Sequence, residues 1–203
     1  MLKRSAIVTG ASSGIGAAVA RALAKAGSNV VVTYGDNRRG AEMTVQAYHD
    51  AGAEAFLINA DVSKDEDCQA IAQAALDTWG GIDIVVNNAG TTRFANAADL
   101  KALSADDFER IFAVNVTGCY QMTRAAATHL QAAKGSVVNI SSHSGFSGIG
   151  SSMAYAASKG ALNTLTLSLA RTLAPHVRVN AVCPGFVDTN WMAPHLDADA
   201  LVA

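Results

Sequence analysis

Proline, cysteine and aromatic side chains are all scarce in this chain. The three prolines, Pro175, Pro184 and Pro194, fall late, so no proline-rich linker divides the molecule and the earlier segments can form unbroken elements. Cys68, Cys119 and Cys183 are odd in number, far apart and never in a Cys-x-x-Cys arrangement. That argues against a disulfide framework or a zinc site and fits a reducing compartment. The five histidines are dispersed without metal-ligand spacing, so no metal site is expected. Charge of one sign is lacking too: 15 basic residues against 17 acidic ones leave a net charge of −2. There is no basic excess for nucleic acid and no charged run for an anionic membrane. The aromatics make no base-stacking stripe. No apolar run approaches bilayer length, and Ala6-Ile7-Val8 stops at Thr9-Gly10, too soon for a secretory signal. The chain reads as cytoplasmic, with neither nucleic acid nor membrane as partner.

What is present is an alternation. Short apolar runs (Ala6–Val8, Val30–Val32, Ala55–Ile58, Ile82–Val86, Val137–Ile140 and Val177–Val182) alternate with alanine-rich stretches near 15–27, 38–52, 65–79, 104–133 and 153–174. Continuous apolar strands separated by helices predict a parallel sheet covered on both faces. Right-handed crossovers make it an α/β doubly wound, Rossmann-like sheet, with ligands at the carboxyl ends of the strands. No internal repeat interrupts the pattern, and 203 residues suit one domain.

The first strand runs into Thr9-Gly10-Ala11-Ser12-Ser13-Gly14-Ile15-Gly16. Glycines at a strand-to-helix turn let backbone approach a pyrophosphate, which the helix N-terminus then stabilises. The spacing is Gly-x-x-x-Gly-x-Gly, not the commoner Gly-x-Gly-x-x-Gly, and a glycine turn made for packing alone is the competing reading.

Further along, Tyr155 and Lys159 are four residues apart in a predicted helix, thirteen residues after Ser142. An i, i+4 pair lies on one helix face, so the ammonium can sit beside the phenol and favour phenolate, lowering an ordinary pKa of about 10. Tyr155 could then protonate a carbonyl oxygen while a cofactor delivers hydride, with Ser142 bonding the same oxygen. Tyr-x-x-x-Lys alone is weak and needs the glycine loop as context.

Taken together, Thr9–Gly16, Asp61-Val62, Asn87-Asn88-Ala89-Gly90, Val114-Asn115-Val116, Asn139-Ile140-Ser141-Ser142, Tyr155–Lys159 and Val182-Cys183-Pro184-Gly185 resemble the short-chain dehydrogenase/reductase family in order and content. The resemblance is strongest to its 3-oxoacyl-(acyl carrier protein) reductase branch. It implies an NAD(P)-binding domain over 1–203 and a catalytic set of Asn115, Ser142, Tyr155 and Lys159. Gly10, Ser12, Ser13, Gly14, Ile15 and Gly16 would wrap the cofactor diphosphate. Asp61 and Val62 would hold the adenine, and Asn88, Ala89 and Gly90 would line the cofactor path. Pro184, Gly185, Val187 and Thr189 would face the nicotinamide, while Lys159 would bond its ribose. Asn115 would hold a water relaying protons, or else serve as a buried, satisfied polar residue. Asn87 is assigned to structure.

Cofactor form turns on the end of the second strand, where relatives using NAD carry Asp and this chain has Tyr34, followed by Arg38 and Arg39. Two guanidiniums suit a 2′-phosphate, so NADP is expected over NAD. Asp36 is the counter-argument, and a solvated helix start is the other account of the arginines.

The expected function is hydride transfer between NADP(H) and a carbonyl or secondary alcohol, possible 3-oxoacyl thioesters included. A non-catalytic dinucleotide-binding or redox-sensing protein and a sugar-nucleotide epimerase are the competing classes. Phe94, Phe146, Ile149, Trp191 and Met192 suggest an apolar pocket. Family members run further at the C-terminus, so residues 186–203 read as the start of a truncated substrate-covering lobe, with a C-terminal strand missing. The resemblance also implies a homodimer or homotetramer, paired through 104–133 and 153–174.

Overall fold

Buried on both faces, the apolar runs become strands. In the computed structural model, which describes residues 3–50, 52–189 and 191, they form β1 (Ser5–Val8), β2 (Asn29–Tyr34), β3 (Ala55–Asn59), β4 (Ile84–Asn87), β5 (Ser136–Ile140) and β6 (Arg178–Val182). The strands pair in parallel in the order β3-β2-β1-β4-β5-β6. Chain direction across the sheet therefore reverses between β1 and β4, and a crevice opens beyond their carboxyl ends.

Helices α1 (Gly14–Lys25) and α2 (Arg38–Asp50) cover one face. There Ala6, Val8, Val30 and Val32 meet Ala20, Ala24, Ala41 and Tyr48. Tyr48, fully buried, donates its hydroxyl to the Ala20 carbonyl and ties the two helices together. Helices α3 (Asp65–Trp79), α5 (Cys119–Ala133) and α7 (Met153–Leu173) supply the other face. Their Ile71, Met122, Leu130 and Leu173 pack on Ile7, Val31, Val85 and Val137. Successive residues of β1 thus serve opposite cores, which is why it shows no polar alternation.

The stretch expected as one helix over 104–133 is divided. Helix α4 (Ala105–Phe112) starts with a capping box in which Ser104 and Asp107 bond each other's backbone N–H. A π turn, Ala113–Gly118, then separates it from α5. The apolar spacing continues through this turn, so periodicity could not reveal it. Two tertiary contacts accompany it: Asn115 bonds outward to other segments, and Gly118 lies where a Cβ would meet Val62 Cγ2 at 2.8 Å. A four-residue helix, α6 (Ser144–Ser147), follows β5 and was likewise not anticipated.

Candidate active site

At the β1–α1 turn the backbone itself makes the surface. Gly10 and Gly14 adopt φ of +62° and +51°, favoured by glycine. A Cβ on Gly10 would stand 2.8 Å from Ala89 Cα, and one on Gly16 would stand 2.5 Å from the Gly10 carbonyl oxygen. The competing account, glycines for packing, is therefore partly right at these two positions. The turn also opens onto the N-terminus of α1. Ser13 makes no side-chain cap bond there, and no acidic residue occupies the first turn. Uncapped N–H groups at the positive end of a helix dipole, beside a glycine cradle, fit a dinucleotide diphosphate.

Asn88 has a role beyond lining the crevice. Its Nδ2 donates to the carbonyls of both Thr9 and Gly10 at 2.9 Å, while Thr9 Oγ1 accepts from the backbone N–H groups of Asn88 and Ala89 at 3.0 Å. The end of β4 thereby braces the glycine turn. Asn87 points the other way, donating to Cys119 O, Thr123 Oγ1 and Asn139 Oδ1. It is structural, as expected, but it joins sheet to helix as well as strand to strand.

The catalytic candidates converge at the carboxyl end of β5. Ser152 caps α7 by accepting from the Tyr155 N–H at 3.2 Å, so the cap fixes the turn that carries the phenol. The Ser142 hydroxyl bonds the Tyr155 side chain and accepts from the Ser144 N–H at 3.1 Å. Lys159, almost wholly buried, donates to the Ile140 carbonyl at 2.8 Å, and its Nζ lies 5.5 Å from the Tyr155 ring centroid. Asn115, fully buried, accepts from Thr91 N–H at 2.8 Å and donates to Thr91 O and Ser158 Oγ at 3.0 Å. Both ends of its amide thus have protein partners, as in the bland reading. Ser158 in turn donates to the Tyr155 carbonyl at 2.7 Å, joining Asn115 to α7.

One electrostatic expectation is corrected here. Burial raises the Tyr155 pKa above the ordinary phenol value, opposed by the hydrogen bond from Ser142. The Lys159 pKa is itself lowered by burial. Desolvation of the phenolate thus outweighs its stabilisation, and the opposing contact is the serine hydroxyl where the lysine ammonium was expected.

Ser142, Tyr155 and Lys159 share one cleft of about 1390 Å³, whereas Asn115 is not among its walls. The walls include Gly10, Ser12, Ser13, Gly14, Ile15, Gly16, Tyr34, Asp61, Val62, Asn88, Ala89, Gly90, Ser142, Tyr155, Lys159, Pro184, Gly185, Val187 and Thr189. Thr189 lies close over the glycine turn, its Cγ2 3.4 Å from where a Gly14 Cβ would stand. Arg38 and Arg39 are not among the walls, whereas Asp36 is. Arg38, 72% exposed, pairs with Glu42 at 2.8 Å one helical turn away. Arg110, not singled out in the sequence, is also a wall: its guanidinium meets Asp61 at 3.0 Å and Ser63 at 2.9 Å. Burial raises the Asp61 pKa, but hydrogen bonds from Ser63 and Arg110 more than offset it and leave the carboxyl below its usual range. Nothing local in the sequence points to Arg110, because its partner Asp61 lies 49 residues away in the chain.

At the mouth, Phe94, Ile149, Phe186 and Trp191 line the cleft, while Phe146 stands outside the lining at 73% exposed. Met192 and most of the expected covering lobe, residues 190 and 192–203, lie outside the described residues. Among the described residues no helix is long and apolar enough to cross a membrane, and no group of histidine, cysteine and carboxylate side chains could hold a metal.

A family model for short chain dehydrogenases matches residues 4–200. A Streptomyces violaceoruber protein provisionally named granaticin polyketide synthase ketoacyl reductase 2 is 43% identical over 187 residues, 92% of this chain and 74% of that protein. Among solved structures, an NAD+-bound xylitol dehydrogenase superposes with a TM-score of 0.86 at 32% identity, covering 94% of this chain and 74% of the other. An alcohol dehydrogenase of the archaeon Thermococcus sibiricus, complexed with 5-hydroxy-NADP, does so with a TM-score of 0.84 at 30% identity, covering 92% and 77%.

Proposed function

The chain belongs to the short chain dehydrogenase family and is an NAD(P)-dependent oxidoreductase, and from that premise we propose that it interconverts a carbonyl and a secondary alcohol using Tyr155 as the proton donor and acceptor. The observation carrying this reading is the meeting of Ser142, Tyr155 and Lys159 in the same cleft as the glycine cradle. The nicotinamide cofactor supplies or takes up the hydride. Tyr155 holds its proton at the phenol oxygen, where burial keeps it neutral and ready to donate. Ser142 offers a hydroxyl to the same substrate oxygen, held in place by the Ser144 N–H. Lys159 is anchored by Ile140 O, leaving its other donors for a cofactor ribose. Asn115 clamps the loop at Thr91 and, through Ser158, the first turns of α7. A 3-oxoacyl thioester belongs among the candidate substrates through the 43% identical relative named as a ketoacyl reductase. Pairing of copies through α5 and α7 is part of the same reading and is checked by light scattering.

NADP(H) is the proposed form. Its support is the N-terminus of α2, where Arg38 and Arg39 follow the cleft-lining Tyr34, Gly35 and Asp36 after one intervening residue, Asn37. One observation favours NAD(H) as a second reading: Asp36 lines the cleft, while Arg38 is paired with Glu42. Cofactor oxidation is followed with NADPH and NADH in parallel, on the parent and on a variant carrying Arg38→Ala and Arg39→Ala. The expected outcome is a larger rise in KM for NADPH than for NADH. Equal rises would remove the arginines from 2′-phosphate recognition, and a gain of NADPH use in Asp36→Ala would favour the NAD reading.

A further inference from the structure

The cleft separates its charges from its apolar surface. On the β1–β3 side the walls include Asp36, Asp61, Lys64, Asp67 and Arg110. Beyond Tyr155 the ionisable walls among the described residues are Lys159, anchored on Ile140 O, and His143. Arg93 is not a wall; it pairs with Asp107 at 3.5 Å.

Several polar groups at the mouth bond one another. Thr92 and Ser151 share a hydroxyl–hydroxyl bond of 2.6 Å, Ala95 N–H donates to Ser151 O at 2.9 Å, and both backbone groups of Thr91 are held by Asn115. What faces the cleft instead is hydrocarbon and aromatic surface. Ile149 is 78% exposed, Phe186 56% and Trp191 45%. The Trp191 ring meets Tyr155 edge to face, at 6.0 Å between centroids and an interplanar angle of 86°. Among the described walls on this side an anion would find His143 alone beside the catalytic lysine. Flat apolar surface next to the proton donor suits a ring that buries its faces while presenting one oxygen.

Resting on the hydride-transfer reading above, we propose that the substrate is an uncharged, apolar cyclic ketone, or its secondary alcohol, seated against Ile149, Phe186 and Trp191. This narrows the substrate away from molecules with a charge beside the reacting carbonyl and makes Trp191 a specificity-determining residue.

The test uses the fact that the chain has two tryptophans. Trp79 lies at the end of α3, in tilted contact with Phe56 at 5.0 Å between ring centroids, so in Trp79→Phe the tryptophan emission comes from Trp191. With saturating oxidised cofactor, which cannot reduce a ketone, the variant is titrated with methyl 4-oxocyclohexanecarboxylate and separately with the free carboxylate. The two probes have the same ring and differ in charge. A saturable emission change with the ester, at a Kd at least tenfold below that of the acid, is the expected result. Equal or tighter binding of the acid overturns the proposal, as does an unmoved signal with both rings. In a second arm Trp191→Ala should raise KM for the ester at least fivefold while leaving the cofactor Kd unchanged; an unchanged KM also overturns it. Failure of the hydride-transfer reading would look different: the ester would bind and move the Trp191 signal, yet reduced cofactor would not be consumed.

Discussion

The two ends of the cleft are made of different material. At the β1–α1 turn the surface is main chain: glycines too close to Ala89 and to each other for a side chain, braced by Asn88. At the carboxyl end of β5 it is side chain, with Ser142, Tyr155 and Lys159 held by a helix cap and two backbone contacts. A surface of backbone binds what presents charge and needs no chemistry; a surface of side chains can hand over a proton. Damage at one end should therefore appear as lost affinity and stability, and damage at the other as lost turnover.

The largest expected effect is at the side-chain end. Tyr155→Phe should lower turnover by about 10²–10⁴-fold, the range for a general acid, with cofactor affinity within a few-fold by fluorescence titration. A comparable loss of affinity would dissolve the contrast between the ends. Next comes Gly10→Ala, which forces a Cβ into Ala89 at a φ of +62°. Strain of this kind costs about 1–3 kcal/mol, so chemical denaturation should report a loss of that size, together with weaker cofactor binding. Retained stability would mean the turn can relax.

A smaller effect tests the electrostatics of the phenol. A raised Tyr155 pKa keeps the phenol protonated beyond its ordinary range, so alcohol oxidation, which needs tyrosinate, should keep gaining rate toward alkaline pH. Ser142→Ala removes the contact that favours phenolate and should move that limb of the kcat/KM profile further alkaline. A limb that stays put would take Ser142 out of the proton's environment. The smallest effect is at the other end. Asp61 has a lowered pKa in the folded chain, so its contribution is present above the unfolded value of about 3.9 and fades as pH falls through the folded one. Asp61→Asn should cost roughly 0.2–1 kcal/mol at neutral pH, as expected of a part-exposed ion pair, and nothing in strong acid. Denaturation curves at the two pH values check it.

Much of this was legible in the linear chain. Strands such as Val30–Val32 could be read because burial on both faces leaves an unbroken apolar run, and the glycine turn because its residues also share a strand-to-helix context. Other features depend on contacts between distant segments. Nothing local distinguishes Asn88, which reaches back to Thr9 and Gly10 across the sheet, from a residue that merely lines a crevice. Arg38 and Arg39 were read from their position after β2, but a long side chain at a helix start chooses between a cleft and a neighbouring carboxylate, and Arg38 takes Glu42. The phenol's pKa direction was misjudged because spacing reveals a neighbouring cation and not the depth of burial.

The π turn at Ala113–Gly118 sets the angular phase between two functional surfaces. Upstream, Arg110 reaches Asp61 on the β1–β3 side of the cleft; within the turn, Asn115 reaches Thr91 and Ser158 near Tyr155. An α-helix advances about 100° per residue, so deleting one residue here would turn α4 by more than a quarter of a revolution relative to α5. Arg110 would then swing off the cleft while Met122 and Leu130 kept their places in the core. The surplus residue works as a gear tooth: it lets α4 and α5 address two ends of the same groove, and a change in the turn's length would unseat Arg110 even where Asn115 and Gly118 are kept.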